Sequence, residues 1–94
     1  MHLLMTSAAG EQRRLELNDQ PITFGRSSEN LIVLDDDFTS THHSRIVPQE
    51  RGWAIEDLGS TNGTWVDRKR ITSATLLQAG QRIRIGKTEL EVRA

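Results

Sequence analysis

No cysteine occurs in this 94-residue chain, which excludes disulfides and thiolate zinc sites and leaves its compartment unmarked by redox chemistry. No apolar run approaches the ~20 residues that a membrane-spanning helix requires. The opening Met1-His2-Leu3-Leu4-Met5 is too short for the apolar core of a signal peptide, and it lacks a basic lead and a cleavage pattern. No sustained i, i+3, i+4, i+7 apolar spacing is present, so nothing points to a helical fold. A dominant charge sign is missing as well: the formal net charge is −1, with no overall attraction to nucleic acid or to an acidic membrane. These absences lead us to expect a soluble, cytoplasmic chain without a nucleic-acid partner and without direct membrane insertion. Repeats, linkers and low-complexity segments are absent too. Residues 1–94 are therefore expected to form a single domain, standing alone or cut from a longer protein.

What is present is alternation. Leu15 and Leu17, Ile22 and Phe24, Trp53 and Ile55, Ile83 and Ile85, and Leu90 and Val92 each flank a polar or small residue. This period of two gives strands with one face in the core and the other in water. Ile32-Val33-Leu34, Ile46-Val47, Trp65-Val66 and Leu76-Leu77 are shorter apolar pieces. Turn formers fall between them at short intervals, as in an all-β sandwich or barrel. Only Thr72 to Gln78 has the composition for a helical turn. The outward Arg82, Arg84, Glu89, Glu91 and Arg93 are expected to form a solvated face that discourages edge pairing.

Three polar islands interrupt the alternation: Gly25-Arg26, Ser40-Thr41-His42-His43 and Ser60-Thr61-Asn62-Gly63. Together they hold a guanidinium that can fork onto two phosphate oxygens, several hydroxyls, an amide and permissive glycine backbone. Each has a plainer reading. Arg26 could be a surface charge, and Asn62-Gly63 reads alone as a good hairpin turn. The His42-His43 pair does not read as a metal site, because neighbours on an extended backbone point to opposite faces and no third ligand cluster accompanies them. One His is expected to fix loop backbone while the other is exposed.

Read in order, Gly25-Arg26, Ser40 through His43 and Ser60-Thr61-Asn62-Gly63-Thr64-Trp65 resemble the forkhead-associated (FHA) domain over about Leu15 to Val92. Leu34-Asp35-Asp36-Asp37 and Asp57-Leu58-Gly59 most resemble FHA domains of actinobacterial signalling proteins. The resemblance implies an all-β fold, with Met1 to Ser7 supplying the first strand of an 11-stranded antiparallel β-sandwich whose loops at one end bind an extended phosphothreonine peptide. By position, Arg26, Ser40 and Thr61 match residues that contact the phosphate, and Thr41 matches a variable position that often does. Asn62 matches the residue that holds the peptide backbone, while Gly25, His43 and Gly63 match residues that support the loops. The implied partner is a threonine-phosphorylated protein or peptide, such as an autophosphorylated Ser/Thr kinase or its substrate, with no cofactor.

Two departures stand out. Asp67-Arg68-Lys69 replaces the Asn-Gly turn common after the aromatic strand. Phe38 and Thr39 occupy the stretch where some relatives carry an Arg that selects an acidic third residue after the phosphothreonine, so an apolar or basic residue is expected there and not an acidic one.

Rival readings are weaker. Ser40, His43 and Asp57 could be arranged as nucleophile, base and orienter, but no oxyanion-hole or nucleophile-elbow pattern accompanies them, and no catalytic role is expected. Gly80 to Thr88 imitates a phosphate-binding loop with five residues between its glycines instead of four and no helix to follow. The serious alternative is a phosphate-independent protein-interaction domain on the same scaffold.

Overall fold

A computed structural model describes residues 1–94 and contains eleven strands and no helix. They are β1 (His2–Thr6), β2 (Gln12–Glu16), β3 (Ile22–Gly25), β4 (Ile32–Val33), β5 (Ser44–Gln49), β6 (Gly52–Asp57), β7 (Thr64–Val66), β8 (Lys69–Arg70), β9 (Thr75–Leu76), β10 (Arg82–Ile85) and β11 (Thr88–Arg93). Six form one sheet in the order β2-β1-β11-β10-β7-β8, and five form the other in the order β4-β3-β5-β6-β9. The two sheets make a β-sandwich, one of the two all-β forms the alternation allows and the one the resemblance implies.

One pair departs from the antiparallel expectation. β3 and β4 run parallel, with Phe24 opposite Ile32 and Gly25 opposite Val33. The chain doubles back through a tight turn in which Asn30 N donates to Ser27 O, and Leu31 N is caught by the Thr23 hydroxyl at 2.8 Å. Thr72 to Gln78 forms no helical turn; it contributes the short strand β9, which pairs with β6.

The core lies between the sheets. Leu15, Leu17, Ile22, Phe24, Ile55, Ile83, Ile85, Leu90 and Val92 are buried as the alternation predicts. Trp53 is only half-buried, and its indole N–H donates to Asn18 O. The short apolar pieces alternate as well: Ile32 and Leu34 are buried around exposed Val33, and Leu77 is buried beside exposed Leu76. Each fully buried branched side chain contributes roughly 1.5–3 kcal/mol by leaving water.

Register sets where the loops meet. Phe24 lies opposite Ser44, and Ser44 lies opposite Asp57. The chain leaving β3, the chain entering β5 and the chain leaving β6 therefore all emerge at one end of the five-stranded sheet. The segment after β6 then crosses to the other sheet, where β7 pairs with β10. Ser60 to Gly63 is thus a bridge between sheets and not a hairpin turn. The real hairpin, β7–β8, closes over Asp67 and Arg68 with φ of 48° and 68°.

Candidate functional site

Gly25 sits where backbones approach closely. A Cβ there would fall 2.3 Å from Thr41 O and 2.6 Å from the side-chain nitrogen of Asn30. The absence of a side chain lets the two loops run together, with Arg26 N donating to Ser40 O and Ser27 N to Thr41 O. Asn30, a buried residue, fastens them by donating from Nδ2 to Ser27 O and Thr41 O at 2.9 and 2.8 Å.

Asp36 folds the approach to Ser40. Its Oδ1 accepts from Phe38 N, and its Oδ2 accepts from the Thr39 hydroxyl and from Lys87 N in the β10–β11 turn. Asp57 does the same for the crossing segment. Its two oxygens accept from Gly59 N, Ser60 N and the hydroxyls of Ser60 and Thr64. Burial pushes its pKa up, but the Ser60 and Thr64 hydroxyls and the Ser60 and Gly59 amides outweigh this and hold it below the ordinary carboxylate value.

Three contacts then lock the loops to one another. Thr61 N donates to Ser40 Oγ at 3.1 Å, and Asn62 Nδ2 donates to Phe38 O at 3.0 Å. His43 lies fully buried beneath: its Nδ1 accepts from Ser40 N and its Nε2 donates to Gly63 O at 2.8 Å. Those partners assign the Nε2–H tautomer. Gly63 adopts φ of 86° against the Arg70 side chain, whereas Asn62 keeps a negative φ, so only one of the two turn formers uses the left-handed region. His42 is exposed and faces Glu29 at 3.6 Å.

Arg26, Ser40, Thr41, Thr61 and Asn62 consequently line one open cleft, with Gly25, His43 and Gly63 in its supporting framework. Arg26 is the cleft's single Lys or Arg, and it forms no salt bridge. Because Ser40 Oγ accepts from Thr61 N, its own proton is free to point into the cleft. A guanidinium beside three hydroxyls suits a tetrahedral oxyanion. The triad geometry is not there: His43 bonds the backbone of Ser40 and of Gly63, not the Ser40 hydroxyl or the Asp57 carboxylate.

Sequence reasoning missed Asn30, Asp36 and Asp57 as the organisers of these loops. Asp57 and Ser60, three residues apart at a strand end, carried a local signal of such a turn. Asn30 carried a local signal only for its turn with Ser27; its bond to Thr41, eleven residues away, had none.

The chain is 44% identical over 91 residues to the FHA domain-containing protein FhaB of Mycolicibacterium smegmatis, covering 97% of this chain and 59% of that relative. It thus spans about three-fifths of that relative's length. Among solved structures it is similar to one from a structural and functional analysis of phosphothreonine-dependent FHA domain interactions, with TM-score 0.84, 28% identity and coverage of 100% and 97% of the two chains. It is also similar to Mycobacterium tuberculosis EmbR in complex with a low affinity phosphopeptide, with TM-score 0.81, 34% identity and coverage of 98% of this chain and 24% of that one. The family model for the FHA domain matches residues 22–86, and the chain belongs to this family.

Proposed function

We propose that residues 1–94 act as one phosphothreonine-recognition module in serine/threonine kinase signalling. In this reading Arg26, Ser40 and Thr61 cradle the phosphate, Thr41 adds a hydroxyl and Asn62 grips the backbone of an extended peptide. Gly25, His43 and Gly63 hold the loops in place. The partner is a threonine-phosphorylated protein, either an autophosphorylated kinase or its substrate, reached in the cytoplasm and without catalysis by this domain. The observation that carries the reading is the convergence of these five side chains on one cleft around an arginine without an ionic partner. The phosphopeptide bound by EmbR and the phosphothreonine dependence of a second structural relative support it.

A phosphothreonine brings about −1.5 to −2 charges and three strong acceptors, which one Arg and a few hydroxyls satisfy without a basic surface. Charged hydrogen bonds of ~1.5–3 kcal/mol each, less the ordering of a peptide, correspond to affinity around micromolar. Calorimetry with matched phosphothreonine, phosphoserine and unphosphorylated peptides tests this directly. Arg26→Ala should abolish phosphothreonine binding with the fold intact. A natural partner that this variant still binds would favour the phosphate-independent alternative.

A further inference from the structure

We propose that the ligand carries a run of acidic residues beside its phosphothreonine, and that a tryptophan-floored basic hollow on the six-stranded sheet receives them. The inference rests on the phosphothreonine reading above and extends it to a second contact surface. Phe38 and Asn62 line the phosphate cleft and also a smaller depression next to it. Trp65 and Arg84 line that depression and continue into a hollow of about 570 Å³, as large as the phosphate cleft itself. An extended peptide gripped at Asn62 has a continuous path from one to the other.

The trough's chemistry selects its occupant. Arg84 lies over the Trp65 ring, 5.5 Å from its centre, and Lys87 lies over Phe38 at 5.1 Å. Arg70 stands opposite Trp65 on its other side in the sheet. Arg68 rises at the hollow's rim. Arg68, Arg84 and Lys87 have no carboxylate within salt-bridge distance, whereas Arg14, Arg45 and Arg93 elsewhere on the sheets are each paired with a Glu. The hollow also holds two acids: Asp67 accepts from Arg82 N, and Glu89 stands opposite Arg84 in the β10–β11 register. Arg82 is paired with Glu91, so Arg68 and Arg84 are the lining's cations outside any ion pair. A neutral peptide would leave these cations idle, while Asp or Glu side chains would meet them at a surface already fixed by the Trp65 indole, which donates to Asn62 O. This surface touches the stretch before Ser40 only at Phe38, and its cations come from β7–β8, β10 and the β10–β11 turn; the stretch itself has no arginine to select an acidic third residue.

The test compares phosphothreonine peptides bearing four Asp/Glu residues, or four Asn/Gln residues, on either flank beyond the third position. At low ionic strength the acidic version of one flank should bind about three- to tenfold tighter, and the gain should fade towards ~0.5 M salt. Arg68→Gln/Arg84→Gln should remove the gain and leave the neutral phosphopeptide's affinity unchanged. In NMR titrations the Trp65 indole signal should move further with the acidic block, with that of Trp53 as the unmoved reference. Equal affinities of acidic and neutral phosphopeptides on both flanks would overturn this proposal alone. No binding of any phosphopeptide would overturn the phosphothreonine reading and this proposal with it. A single-stranded oligonucleotide that outcompetes the acidic block for wild type but not for the double variant would assign the hollow to nucleic acid and overturn it as well.

Discussion

The hydroxyl oxygen of Ser40 lies 3.1 Å from the backbone nitrogen of Thr61 and accepts its hydrogen, joining two loops whose positions are 21 residues apart. This bond fixes the acceptor side of Ser40 and leaves its proton for a ligand. Ser40→Ala removes both roles. Phosphopeptide affinity should fall by about tenfold or more, the loss of a charged hydrogen bond, while stability drops by only ~0.5–1.5 kcal/mol. Calorimetry and urea denaturation of the same variant separate the two effects; unchanged affinity would remove Ser40 from the cradle.

Gly25 tests whether close packing of the first two loops shapes the cleft. Gly25→Ala places a methyl 2.3 Å from Thr41 O, so the loops must separate. Destabilisation of about 1–3 kcal/mol is expected, with weakened phosphopeptide binding. Gly10→Ala meets nothing within 4 Å and strains only its own φ of 85°, so it should lower stability by about 1–2 kcal/mol and leave binding untouched.

Asp57 predicts a pH dependence of stability. Its folded pKa is depressed, so in acid the unfolded chain binds this proton more readily than the folded one. The stabilisation is present in full above the unfolded carboxylate value near ~3.9 and is lost as pH falls through the lower folded value. Denaturant midpoints measured from neutral pH down to ~2.5 should show this loss. Asp57→Asn should lower the midpoint at neutral pH and flatten part of the acid limb; an identical acid limb in the variant would refute the assignment.

Arg68 occupies a left-handed conformation that disfavours a Cβ-bearing residue by ~1–2 kcal/mol. Its two-residue turn has the geometry that favours Asp-Gly. Arg68→Gly should therefore stabilise the domain by about 0.5–1 kcal/mol after allowing for glycine's extra freedom when unfolded. That corresponds to about 3–6 °C in Tm, and a thermal melt with no rise would contradict it.

The alternation of Ile83 with Arg82 and Arg84, or of Phe24 with Thr23, made the strands legible, because burial on one face imposes a period of two on the residues themselves. The cleft's lining was legible for a different reason: each polar island alone had a plainer reading, but the three in order resemble the FHA motif. What the sequence could not convey were relations between distant segments. Asn62-Gly63 has the chemistry of a hairpin, yet it crosses between sheets, since sheet membership depends on β7 finding β10 rather than on the turn. Asn30 reaches Thr41, and Asp36 reaches Lys87 N, across separations that no local pattern encodes. The Trp65–Arg84 stack is hidden in the same way, because the charge alternation of β10 reads as ordinary solvated surface until β7 is laid beside it.

β1 pairs with β11, placing Leu3 against Val92 inside the six-stranded sheet. During translation, therefore, nearly the whole domain must emerge before its first strand meets one of its two neighbours. The β3–β5–β6 ladder draws on nearby residues and is available earlier, but the apolar side chains of Leu3 and Met5 wait uncovered for Thr88–Arg93. Pairings of such long sequence separation fold slowly and lengthen the interval in which an open strand edge invites aggregation. A ribosome stalled just short of Thr88 would present a chaperone with that edge, and with a sandwich that has no lid.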